Sequence, residues 1–177
     1  TTFDFIANGE SLVLTYTVEV TDTSGDLGTD TNTNTVTITI GGTNDQPTIS
    51  FDTASLTETD NPLTTNGSLT IEDLDTSDEV NAQVIDLQID DSNIANGNEI
   101  PLADLEAMFH LATPNPVIDA VSNTAALDWE FDSAGTTFDF IANGESLVLT
   151  YTVEVTDTSG DLGTDTNTNT VTITIGG

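Results

Sequence analysis

The chain has 177 residues, with 31 Asp and Glu, one His and no Lys or Arg, for a formal charge of −31 at neutral pH. That balance excludes nucleic acid, whose phosphates are held by Lys and Arg, and disfavours anionic membrane surfaces. No run of about 18 apolar residues offers direct membrane insertion, and the absence of cysteine leaves no disulfide framework.

Taken in chain order, Ser11–Asp22 places Leu12, Leu14, Tyr16, Val18 and Val20 on one face, with Thr15, Thr17, Glu19 and Thr21 on the other. Thr33–Ile40 alternates in the same way, and "TDTSGDLGTD" lies between the two. Period-2 alternation of β-branched residues around a turn-rich loop predicts a β-hairpin. Further strands are expected at Thr48–Phe51, Ser55–Glu58, Ser68–Glu72, Val84–Ile89 and Ala126–Phe131. Pro101–Leu111 instead carries Leu102, Leu105, Met108 and Phe109 at helical spacing behind a proline, which predicts a short helix. Such regular apolar spacing argues against the disorder that so acidic a composition usually signals.

Residues 136–177 then repeat residues 1–42 at every position, a period of 135. One period is the size of one domain. The expected organisation is therefore residues 1–42 as the C-terminal hairpin of a preceding identical repeat, and residues 43–177 as one complete domain. About seven strands and one short helix predict an all-β, Ig-like antiparallel β-sandwich in tandem repeat. Tyr151, inward near the start of its strand, is either a tyrosine corner or an ordinary core residue, and Tyr16 has the same two readings. The hairpin at 1–42 lacks a body to cover it, so strand exchange between chains through residues 1–42 is expected to order it.

With no cation of its own, the chain is either a solvated acidic surface or a binder of divalent cations. Calcium takes six to eight oxygens, mostly carboxylates and carbonyls, and three clusters offer them. Asn44 and Asp45 precede Pro47; Asp73 and Asp75 sit among Glu72, Asp78 and Glu79; Asp22, Asp26 and Asp30 return as Asp157, Asp161 and Asp165. Each cluster also reads as ordinary turn chemistry. Isolated acids such as Asp52, Asp104 and Asp119 read as solvated. His110 has neither a Cys nor a second His for zinc, and nothing ties it to a serine nucleophile, so no enzyme is expected.

"TVTITIGGTNDQPTIS", "SLTIEDLDTSDEV", "ALDWEF" and "TFDFIANGESLVLTYTVEVTD" together resemble the VCBS and cadherin-like Ig repeats of giant bacterial RTX adhesins. The resemblance implies a cadherin-like sandwich and Ca2+ shared between successive domains, with Glu58, Asp73, Asp75 and Asp45 as the best ligand set. It implies an extender repeat on the extracellular bacterial surface, partnered by neighbouring repeats of the same protein. The glycine-rich calcium nonapeptides of RTX proteins are absent from this stretch. The alternative is a calcium-dependent module that binds a ligand such as a glycan or ice.

Overall fold

The alternation in "SLVLTYTVEVTD" becomes strict once the strand has something to cover. At residues 146–157 every second side chain, Leu147, Leu149, Tyr151, Val153, Val155 and Asp157, is buried. The computed structural model describes residues 2–23, 30–158 and 165–177. In chain order the strands are β1 (Ser11–Asp22), β2 (Asp30–Gly41), β3 (Thr48–Ile49), β4 (Asp52–Thr57), β5 (Thr64–Glu72) and β6 (Val80–Asp90). Helix α1 (Leu102–Ala107) precedes β7 (Phe109–Leu111), β8 (Thr124–Asp132), β9 (Ser146–Asp157) and β10 (Thr166–Gly176).

Strands β3 to β10 form two four-stranded sheets, ordered β4-β10-β9-β6 and β3-β5-β8-β7. Hairpin neighbours β9 and β10 pair antiparallel, while β3 and β4 carry one edge of the chain from the second sheet to the first. This is the strand order of an immunoglobulin sandwich, so the expected all-β, Ig-like class is what the chain forms. One pairing departs from a purely antiparallel sheet: β4 runs parallel to β10, Asp52 opposite Val171 through Thr57 opposite Gly176. The inward faces of both sheets make a single core that includes Leu69, Ile71, Leu127, Trp129, Phe131, Leu149 and Val171.

The predicted helix is shorter than its apolar stripe suggested. Helix α1 ends at Ala107, and Phe109–Leu111 forms edge strand β7 against Phe131–Trp129 of β8. Phe109 is buried and His110 exposed, which is strand alternation, and three residues are too few to tell the two periods apart in sequence. Tyr151 is not a tyrosine corner. Its ring stacks on Phe109 at 4.4 Å between centroids, and its hydroxyl donates to the Leu105 carbonyl of α1 at 2.7 Å. A corner hydroxyl reaches backbone a few residues upstream; this one pins a helix 46 positions away.

Asp52 is likewise not an isolated solvated acid, since its Oδ2 accepts the Trp129 indole N–H at 3.0 Å. Gly67 makes that contact possible. It stands opposite Trp129 across β5 and β8, and a β-carbon there would strike both the indole ring and the Asp52 carboxylate. Gly67→Ala is therefore expected to cost about 1–3 kcal/mol through overpacking. The single tryptophan makes the loss visible as a red-shifted emission and a lowered melting temperature; an unchanged spectrum would contradict it.

The first copy of the repeated passage forms its own two-stranded sheet, β1 with β2, in the register of β9 with β10. Gly42 closes the end of this hairpin. Its N–H donates to the Glu10 carbonyl at 3.1 Å, and a β-carbon on Gly42 would collide with the carbonyls of Ile6 and Ala7. Gly177 is held in the same way by Glu145, Ile141 and Ala142.

Candidate metal centre

Beyond Gly42 the chain runs through Asn44 and Asp45 into the pole of the sandwich where β9 ends and β10 begins. Side chains of β10 fix this segment. Asn167 Nδ2 donates to the Pro47 carbonyl at 3.0 Å and Asn169 Nδ2 to the Ile49 carbonyl at 2.9 Å. The Asn residues of "TNTNT" thus replace a missing backbone ladder between β10 and β3. Gln46 adds a third tie, from its side-chain amide to the Thr166 carbonyl.

Held there, the joint meets the loop that follows β5. The Asp45 N–H donates to Asp75 Oδ2 at 2.7 Å, and the Asp75 N–H donates to Asp73 Oδ1 at 3.0 Å. Asn44 Nδ2 donates to Asp157 Oδ2 at 2.9 Å and to Asp165 Oδ2 at 3.2 Å. One locus therefore unites Asn44, Asp45, Asp73, Asp75, Asp157 and Asp165, drawn from all three sequence clusters. Asp73, Asp75, Asp78 and Asp157 are each at most 5 % exposed. Among the described residues, four buried oxygens there find no hydrogen-bond donor: Asn44 Oδ1, Asp73 Oδ2, Asp75 Oδ1 and Asp78 Oδ2.

Two contributors stand out only in the folded chain. Asp78 follows the Asp73/Asp75 pair and reads from sequence as no more than its neighbour, but burial makes it a full member. Glu10, which precedes β1, lies close enough to repel both Asp75 and Asp78. In the same contact region Thr76 Oγ1 donates to the Phe5 carbonyl at 3.4 Å. The sequence signal for Glu10 lies in the strand polarity: a residue just before β1 sits at the same end of the hairpin as the Gly42 joint.

Glu58, expected in the ligand set, is placed elsewhere. Its N–H donates to the Gly176 carbonyl at 2.8 Å. The length of β10 separates that pole from the cluster, about 33 Å at the usual strand rise. The cause is the parallel run of β4 beside β10, which carries Glu58 away from Asp45. Asp22 ends β1 and Asp30 begins β2, on a hairpin that does not cover this body. Asp26 and Asp161 lie outside the described residues. His110 is exposed on the surface with Nε2 3.1 Å from Glu130 Oε2.

Burial dominates the electrostatics. It pushes the Asp73 carboxyl from 3.8 up to about 6; the Asp75 amide pulls it back, and Asp157, Asp75 and Asp45 add repulsion. Asp78 is also pushed to about 6, first by burial and then by Asp75, Asp157, Asp73 and Glu10. Burial raises Asp75 as well, against the opposing pull of the Asp45 amide. Buried carboxylates need a hydrogen-bond donor, a proton or a cation, and this sequence contains no Lys or Arg to serve. Among the described residues no three His, Cys, Asp or Glu side chains are already gathered as a metal-coordinating set. Closing the cluster on an ion therefore takes side-chain rotation or amide and carbonyl donors, of which Asn44 Oδ1 is one. Oxygen-only donors in this number suit a hard cation such as Ca2+.

No family model and no curated protein matches the chain. Among solved structures it is similar to the ASH/PapD-like domain 7 of human CEP192 at 9 % identity and a TM-score of 0.49. That likeness covers 73 % of this chain and 84 % of that one.

Raised carboxyl pKa values mean that the folded state holds its protons more tightly than the unfolded chain. The contribution of Asp73 and Asp78 to stability is then fully present below about pH 4 and is lost as pH rises through about 6. In chelator, acidification from pH 7 to pH 5 is expected to stabilise the chain by about 1 kcal/mol for each of Asp73 and Asp78. Melting curves of the chain and of the D73N/D78N variant measure it: the variant should show a flatter slope, and parallel slopes would contradict the assignment.

Proposed function

We propose that this chain is a structural extender repeat of a bacterial surface adhesin, stiffened by Ca2+ at the joint between successive domains. The observation that carries the reading is the cluster at Asn44–Asp45. Four Asp side chains at most 5 % exposed converge there in a chain lacking Lys and Arg, and three of them, Asp73, Asp75 and Asp78, each keep a buried oxygen with no hydrogen-bond donor among the described residues. Asn44, Asp45, Asp73, Asp75, Asp78 and Asp157 would hold the ion, and Glu10 would reach it from across the joint. The ion would supply the positive charge that lets these groups stay ionised at neutral pH.

Position supports a mechanical role over capture of a ligand. The cluster lies where one sandwich ends and the next chain segment arrives, and its members come from both sides of that boundary. Glu58 also finds a place in this reading. At the pole beside Gly176 it faces the start of a following repeat, so a preceding copy of Glu58 would border the Gly42 joint. The extracellular location and the role in cell adhesion or biofilm follow from the sequence resemblance, and the reading includes no catalytic step.

Calcium at 100-fold over its dissociation constant is expected to stabilise the chain by about 2.7 kcal/mol, several degrees in melting temperature for a domain of this size. D75N should lower calcium affinity at least tenfold in titration calorimetry while leaving the chelator melting temperature unchanged or raised, because it removes a buried charge. In small-angle scattering, a chain of three tandem repeats should be longest with calcium and contract in chelator. A melting temperature indifferent to calcium would overturn the reading.

A further inference from the structure

The repeated passage places the same side chains in two environments. In β9 and β10, Tyr151, Val155 and Val171 are fully buried, whereas their counterparts Tyr16, Val20 and Val36 are 54 %, 64 % and 51 % exposed. Phe3 follows the same rule, being exposed where Phe138 is buried. β1 and β2 pair only with each other among the described residues, whereas β9 also pairs with β6 and β10 with β4. The first hairpin thus presents an apolar face and two open edges. The complement of all three is already built in the chain: it is the body of residues 43–135.

The hairpin cannot use its own body. Strands β9 and β10 fill the slot, and the geometry forbids a substitute. A hairpin docked there would end where Gly176 does, nine residues along β10 from Asn167, or about 30 Å at strand rise. Asn167 holds Pro47, and the six steps from Gly41 to Pro47 reach about 22 Å at most. Exchange with the body of a second chain displaces an identical β9–β10 hairpin, so it gains no contacts and costs association entropy.

We infer that residues 1–42 dock into a preceding copy of the 43–135 body, one with no other hairpin to close it, supplied by the same polypeptide. In that position β1 pairs with the β6 copy and β2 with the β4 copy, and Tyr16 enters the pocket that Tyr151 fills here, against Phe109 and Leu105 of the neighbour. A 135-residue repeat then folds by closing each body with the hairpin that follows it. The inference rests on apolar packing and strand edges, independent of calcium.

The test joins one copy of residues 43–135 ahead of Thr1 and follows amide exchange by mass spectrometry in saturating calcium. Peptides from Ser11–Asp22 and Ser146–Asp157 are identical in sequence, so both copies report in one isotopic envelope. For the 177-residue chain the envelope should split into fast and slow components of equal amplitude. For the extended chain only the slow component should remain, with β1 slowed at least about 100-fold. Two components persisting in the extended chain would overturn the inference. Tyr16→Asp in the extended chain gives a β1 peptide of distinct mass, expected to exchange fast while β9 stays slow; slow exchange in that peptide would overturn docking through this face. Light scattering of the 177-residue chain should give a monomer. A stable oligomer with a single slow envelope would assign the face to a second chain and overturn the tandem neighbour.

Discussion

Four carboxylates buried together in a chain that contains no Lys or Arg set the constraint on which the rest of this structure depends. Solvent exposure would relieve the repulsion, but the fold does not allow it. Asp157 ends a core strand, and Asp73, Asp75 and Asp78 line the loop leaving β5, whose Ile71 is fully buried. Internal pairing is unavailable, because the sequence holds no permanent cation. Amide donors from Asp45, Asp75 and Asn44 satisfy part of the demand, and one oxygen each of Asp73, Asp75 and Asp78 is left without a donor among the described residues. Neutralisation must come from a proton or an imported ion, so the joint is the part of the molecule most sensitive to its medium.

The sandwich itself was largely legible in sequence because its strands carry strict period-2 alternation. "SLVLTYTVEVTD" and "ALDWEF" bury the residues that their patterns nominate. Where the pattern was short or mixed, it misled. Phe109–Leu111 continued a helical stripe, yet became a strand because β8 offered it an open edge. Asp52 looked solvated because its partner, the Trp129 indole, lies 77 positions away in sequence. Acidic turns advertise themselves, so the cluster at Asn44, Asp45, Asp73 and Asp75 stands out even among 31 acids. That Glu58 lies at the opposite pole from Asp45 of its own domain is hidden in sequence, because sequence does not state that β4 runs parallel to β10. The weight of Asp78 is hidden in sequence because its burial is a property of the packed loop.

The duplicated passage acts as an internal control on burial. Residues 11–22 and 146–157 share every strand propensity and the same apolar alternation, and both enter the same antiparallel hairpin. Local sequence therefore dictates the strand and its register, while the fate of Tyr16 and Tyr151 is decided entirely by whether a body faces them. The Ig-like core is a tertiary property that no hairpin carries alone.

Strand polarity links the core to the joint. β9 begins just after Glu145 at one pole and ends with Asp157 in the acidic cluster at the other, about 36 Å away at strand rise. β1 has the same polarity, and Glu10, the copy of Glu145, stands beside the cluster to which Asp157 belongs. The cluster thus draws on the start of one hairpin copy and the end of the next. An ion held there would connect two strands end to end through Glu10 and Asp157, and tension along an array would pass from backbone ladder to ion to backbone ladder. The covalent joint from Gly42 to Pro47 would then share the load with the cluster. In the proposed array, the two ends of one amphipathic strand would define both the spacing of the repeats and the points at which they are tied.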